Sequence, residues 1–380
     1  MTGDVFVPTE EQQLLRETVR DLCARAWPPD GGVARYEQTA AGRTLWATLG
    51  GELGVLGLTV PDELGGAGAG VVELAILAEE LGRVLAPVPL VGTTLVAMTL
   101  SRSDDADAAA KLLAPLLAGD RLAALVATDD AGTWLPETPT ISARREGDRW
   151  RLQGVATHVL DGATAEDLVV VATTADGSAL FTVDGDGPGT VRRPMDMLDL
   201  TRDQAEVAFD GAVAQPVGTP GRAVGAVGAA TDVASVVLAA EQLGGAQSIL
   251  DRTVEHARTH VQFGRPIGSF QAVRHRCADM LIAVEHARST VLHAALAHDA
   301  GIDDVEVATS LAHVVSSQAH REVAGGALQL HGGIGFTWEH PTHLHLKRAW
   351  SDTTLLGGQA LHRRRLAPLL QPPDRGRLEG

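Results

Sequence analysis

Hydrophobic periodicity changes twice along this chain, and that change limits the fold more than any other feature. Up to about residue 118 it is helical. Thr9 and Gln12 have capping-box spacing. Leu15, Val19, Leu22, Cys23 and Ala26 follow at three- and four-residue steps, and Val71 to Leu85 repeats the pattern. From 119 to 222 short β-prone runs take over: Leu122–Ala127, Trp150–Gly154, Leu168–Ala172, Ala179–Val183 and Ala205–Phe209. Turn pairs Gly147-Asp148 and Asp176-Gly177 sit between them. From 223 to 370 the helical period returns in four blocks, roughly 226–262, 270–299, 303–325 and 347–369, with Asp303 as the expected N-cap of the third. The predicted class is α+β: an N-terminal helical domain (1–118), a middle antiparallel β domain (119–222), a C-terminal four-helix bundle (223–370) and a polar tail (371–380).

Charge narrows the partners. The formal net charge of -17 over 380 residues repels a phosphate backbone, so nucleic acid is not expected, and any anionic ligand needs a local cluster of donors. Cys23 and Cys277 both lie in apolar helical patterns and read as buried thiols of a reducing compartment. The start, Met1-Thr2-Gly3-Asp4, lacks a basic region followed by an apolar one, and no run reads as approaching the ~18 apolar residues of a membrane span. A soluble, cytoplasmic protein is expected.

Three stretches carry more specific information. Gln262-Phe263-Gly264-Arg265-Pro266-Ile267-Gly268-Ser269-Phe270-Gln271 lies between the first two bundle helices. Gln329-Leu330-His331-Gly332-Gly333-Ile334-Gly335-Phe336 closes the third. Leu198-Asp199-Leu200-Thr201-Arg202 with Val207-Ala208-Phe209-Asp210 ends the β region. In this order they resemble the acyl-CoA dehydrogenase family over nearly the whole chain. The resemblance implies FAD as cofactor. Phe263, Gln271, Gln329, Gly332, Gly333 and Gly335 would lie along it, the glycines letting a dinucleotide approach the backbone. Thr128 matches the position facing the flavin edge.

The family reaction takes an α-proton from an acyl-CoA with a carboxylate base while the β-hydrogen leaves as hydride to the flavin. Leu356 stands where many members have that glutamate, and Ala234 where others place it. Glu241, seven residues on and on the same helix face, is the candidate base, its apolar surroundings expected to raise its pKa. A structural glutamate paired with an arginine is the alternative, and Asp352 the weaker second candidate. His260 replaces the arginine that the family sets against the FAD pyrophosphate, with Arg258 and Arg265 near to compensate; His158 replaces an aromatic beside the flavin. His340, His343 and His345 lack paired acids or cysteines at ligand spacing, so they read as a solvated or CoA-facing loop and no metal is expected. Arg363-Arg364-Arg365 reads as a solvated helix face.

The resemblance thus implies FAD-dependent α,β-dehydrogenation of a CoA thioester, with electrons passed to an electron-transfer flavoprotein-like acceptor. Leu160-Asp161-Gly162-Ala163 and Lys347-Arg348-Ala349 are similar to members that form heterotetramers and act on bulky acyl chains; a homo- or heterotetramer is expected. The alternatives are a non-catalytic partner chain, or non-redox acyl-CoA chemistry.

Overall fold

The computed structural model describes residues 7–28, 33, 36, 39–302 and 304–370. Five helices come first: α1 (Glu10–Ala26), α2 (Thr39–Ala47), α3 (Val71–Arg83), α4 (Leu90–Ser101) and α5 (Ala106–Leu117). The capping box forms, with Thr9 N–H donating to Gln12 Oε1 (3.0 Å) and Gln12 N–H to Thr9 Oγ1 (3.2 Å). α4 has no polar face, since Leu90 to Leu100 are all buried; a helix buried on every side shows no amphipathic stripe to read.

Seven strands follow: β1 (Ala123–Val126), β2 (Ser142–Glu146), β3 (Arg149–Leu160), β4 (Asp167–Thr174), β5 (Gly177–Asp184), β6 (Thr190–Pro194) and β7 (Gln204–Val217). β5 pairs with both β4 and β7, while β2 joins β3 to β4, so the sheet closes on itself around Leu152, Phe181 and Phe209. The sheet is mixed, not purely antiparallel as expected: β1 runs parallel to β4, and β2 meets β4 in parallel through Ser142 and Thr173. β1 joins the sheet beside β4, three strands further along the chain, a pairing that turn signals cannot reveal.

The C-terminal part holds α6 (Ala223–Thr259), the two-stranded hairpin β8–β9 (Val261–Gln262, Arg265–Pro266), α7 (Gln271–Ala300) and α8 (Val305–His331). The expected fourth long helix is two short ones, α9 (Thr342–Asp352) and α10 (Gly358–Leu366), separated where Leu356 turns to φ 52. Asp303 and the tail from 371 lie outside the described residues; Asp304 occupies the cap position of α8 without a side-chain cap bond. His343 and His345 are buried on α9, so the solvated-loop reading does not hold for them. Cys23 is buried, which pushes its thiol up to about 12, whereas Cys277 is only half-buried; both are free.

α6 is the axle, in contact with α3, α4, α7 and α8. It is long and apolar enough to match a membrane span by length and composition alone, with a window of mean hydropathy 1.8, so the expectation that no stretch is apolar enough is corrected. Within the fold 72% of that window is buried, and the apolarity serves the bundle core.

Candidate active site and cofactor surface

The sequence candidates fall into three groups. The first lines a cavity of about 240 Å³ between the β barrel and the bundle, walled by Leu95, Thr128, Trp134, His158, Gln204 and Leu356 among others. Thr128 follows β1 and is held by its hydroxyl, which donates to the Thr157 carbonyl at 2.7 Å. His158 reaches the cavity through a break in the β3–β7 ladder: register slips between Ala156 and Val159, and His158 takes φ 56. Its ring lies over Gly132, where an added Cβ would come within 2.6 Å of Nδ1. Leu356 is 3% exposed and left-handed at φ 52, a conformation unfavourable for leucine. The described lining of this cavity contains no carboxylate.

Glu241 and Asp352 belong to the second group, a buried ion network. Arg202 Nη2 donates to Glu241 Oε2 at 2.6 Å and lies 3.1 Å from Asp352 Oδ1. Arg348 lies 3.5 Å from Glu241 Oε2 and 3.1 Å from Asp199 Oδ2, and donates to Thr201 Oγ1 (2.7 Å) and its carbonyl (2.8 Å). All five charged side chains are at most 5% exposed. The apolar setting expected for Glu241 is therefore absent; two guanidiniums from outside its helix hold it, as in the structural alternative. Three carboxyls face two guanidiniums, so one is in excess. Burial pushes Asp352 up to about 6, against the pull of Arg202 and Arg348, and its Oδ2 has no hydrogen-bond partner. On Arg202 burial works against the charge, but Asp352, Glu241 and Asp199 hold it well above its ordinary value. Asp161, on a sharp turn at φ 58 just past β3, is fully buried near the same charges; burial pushes it up to about 7, with Arg202 opposing. Sequence reasoning singled out neither the network nor Asp161 as an ionisable group, because charges from the 199–202 loop, α6 and α9 meet only in three dimensions.

The third group forms an outward surface, and none of it lines the cavity. The β8–β9 hairpin holds Phe263 at φ 55 with its ring 92% exposed; Ile334, Phe336 (70%) and Trp338 (60%) are exposed at the glycine loop. Gly332 takes φ 61 with ψ -138, and a Cβ on Gly332 or Gly333 would meet nothing within 4 Å, so both present open backbone. Gly335 differs from expectation. It is buried, and a Cβ there would come within 3.2 Å of His331 and Leu328, so it packs the loop down instead of facing a ligand. Gln271, Gln329, Arg258 and His260 are exposed on this side. Arg265 stacks on the Phe270 ring, its Cζ 4.1 Å from the centroid. An open glycine loop, an exposed aromatic ring and exposed amide and basic groups suit the phosphate and adenosine half of FAD. The cavity edged by Thr128 and His158 suits the flavin ring.

Comparison with known proteins gives the family and agrees with the fold. A profile described as the acyl-CoA dehydrogenase N-terminal domain matches residues 9–120, and one described as the acyl-CoA dehydrogenase C-terminal domain matches 225–370. The chain is 35% identical over 353 residues to the acyl-CoA dehydrogenase IpdE2 of Mycobacterium tuberculosis, covering 92% of this chain and 94% of that one. Among solved structures it resembles a variant of the Tcur3481–Tcur3483 steroid ACAD (TM-score 0.81, 31% identity, 95% and 97% of the two chains). It also resembles the ChsE4–ChsE5 complex from Mycobacterium tuberculosis (TM-score 0.83, 28% identity, 97% and 100%). The chain belongs to the acyl-CoA dehydrogenase family of FAD-dependent oxidoreductases that act on CoA thioesters.

Proposed function

We propose that this chain works as one subunit of a hetero-oligomeric acyl-CoA dehydrogenase, completing the FAD site of an unlike partner that carries the α-proton base. The observation behind this is Leu356: it stands buried in the cavity wall where a carboxylate is needed, and the two acids on neighbouring segments, Glu241 and Asp352, are tied into ion pairs. A base must reach the substrate's α-proton directly or through one water. Glu241 Oε2 already faces two guanidiniums, and Leu356 has no proton-accepting group.

When bound, FAD supplies the oxidised ring that accepts the β-hydrogen as hydride. This chain's own part would be positional. Gly332 and Gly333 give backbone contact, Gln271 and Gln329 give side-chain donors, and Phe263 with Phe336 and Trp338 covers apolar area at a subunit boundary. The two-chain complexes among the structural relatives support the hetero-oligomeric reading, as does the separation of cavity and outward surface within one chain. A steroid-like bulky acyl group, an electron-transfer flavoprotein-like acceptor and a cytoplasmic location belong to the same proposal. The relatives' names support the first, family chemistry the second, and two free cysteines the third.

The test is anaerobic addition of acyl-CoA to the chain alone and to the chain mixed with a candidate partner. Bleaching of the flavin band is expected only in the mixture. A chain that binds flavin alone and bleaches with acyl-CoA would overturn the proposal.

A further inference from the structure

A second cavity, of about 260 Å³, begins where the first one ends. The last pair of the β3–β7 ladder, Leu160 with Gln204, lines the first; the residues just beyond it, Asp161 and Asp203, line the second. Three aromatic side chains wall this second space. Trp27, just past α1, meets Tyr36 edge-on (ring centroids 5.3 Å, planes 68° apart), and Trp46 on α2 is buried. The Tyr36 hydroxyl donates to the Leu85 carbonyl at 2.8 Å, which fixes its ring.

The charge in this cavity is unmatched. Two arginines line it, and both are engaged: Arg202 with Glu241 and Asp352, and Arg43, on the half-exposed side, with Glu166 at 3.1 Å. Asp161 differs. It is 7% exposed, and its Oδ2 has no hydrogen-bond partner among the described residues. A Cβ on Gly92 would come within 2.1 Å of that oxygen, so α4 leaves out a side chain where the carboxyl sits. With Asp161 counted, the carboxyls of Asp161, Asp199, Glu241 and Asp352 stand near only the guanidiniums of Arg202 and Arg348, and Asp203 adds another, half-buried acid. A buried carboxyl without a counter-charge is costly. Burial pushes Asp161 up to about 7, so near neutral pH a cation displaces its proton at little cost. Aromatic faces attract cations, and a carboxylate accepts an ammonium N–H in a charge-assisted bond.

We propose that this cavity binds a small protonated amine with an apolar body, its ammonium pairing with Asp161 and its body lying against Trp27, Tyr36 and Trp46. The site is separate from the cavity edged by Thr128 and His158 and needs no cofactor.

The experiment is calorimetric titration of benzylamine into the purified chain at pH 8, with benzyl alcohol and benzyltrimethylammonium titrated alongside. One-site binding of benzylamine is expected, at least about tenfold tighter than benzyl alcohol, because only the amine offers a charged donor. Benzyltrimethylammonium, charged but without an N–H, should bind more weakly than benzylamine. Asp161→Asn removes a buried charge and so folds at least as stably at this pH. It should weaken benzylamine by about tenfold or more and leave benzyl alcohol within about twofold. Tyr36→Leu should weaken benzylamine by about threefold or more. Equal affinity for amine and alcohol, an unchanged benzylamine affinity in Asp161→Asn, or no saturable benzylamine binding up to about 10 mM would overturn the site. A quaternary cation that binds as tightly as benzylamine would overturn the pairing with Asp161.

Discussion

Asp161 shows how burial converts a common side chain into a source of pH sensitivity. Its carboxyl is pushed up to about 7, first by burial, and an aspartate in the unfolded chain releases its proton near 3.9. Between these values the native state binds more protons, so stability from this group is fully present below about pH 4 and is lost as pH rises through about 7. Asp161→Asn keeps the shape without the ionisation. Relative to wild type it should gain up to about 1.4 kcal/mol per pH unit across that window, read from denaturant unfolding at pH 5 and pH 8; equal pH slopes for the two proteins would contradict this. The residue scale is also where the sequence was least legible. Thr128 and His158 were found because their positions match a pattern, and the cavity contains both. Glu241 was visible as a lone acid on an apolar helix, but its partners Arg202 and Arg348 lie 39 residues before it and 107 after, and the role of a charge follows from the charges it meets.

At the scale of elements, α3 and α6 cross by backbone contact. A Cβ on Gly244 would come within 1.9 Å of the Glu79 carbonyl oxygen, and one on Gly82 within 2.1 Å of that of Glu241, so neither position accommodates a methyl group unless the helices separate. Gly225, on the first turn of α6, has nothing within 4 Å. Gly244→Ala is expected to destabilise by roughly 3 kcal/mol or more, while Gly225→Ala should be neutral or stabilise by up to about 1 kcal/mol from helix propensity. Thermal unfolding of the pair checks this, and equal midpoints would contradict the close crossing. Helices with one polar face, such as α1, and strands bounded by turn residues, such as β4 and β5, were readable from period and punctuation. α4 and β6 were not: one is buried on all sides, and the other, Thr190–Pro194, is a short polar strand held by its pairing with β7. The break before α10 does have a signal, Gly357-Gly358, both at positive φ, but Leu356 just before them is left-handed with none of its own.

For the whole molecule, the order of helices, barrel and bundle follows from two changes of period, and the chain's membership of its family agrees with it. The bundle core requires an axle apolar enough to pass for a membrane span, so hydropathy alone misreads α6. The cavity and the outward surface are separate within this chain: the described lining of the first contains no carboxylate, and the second carries exposed aromatics. On the proposed reading, an assembly of unlike chains would make these parts complementary, with this chain holding the cofactor and its partner performing the proton abstraction. The most direct measurement is the first-order rate of flavin bleaching by acyl-CoA, per bound flavin, in an assembly carrying Glu241→Gln in this chain. Losing the carboxylate should lower the stability of the subunit, because Arg202 and Arg348 are left underpaired, but the rate per flavin should stay within about twofold of wild type. A fall of about 100-fold or more, the size expected for removal of a general base, would place the proton abstraction on this chain after all.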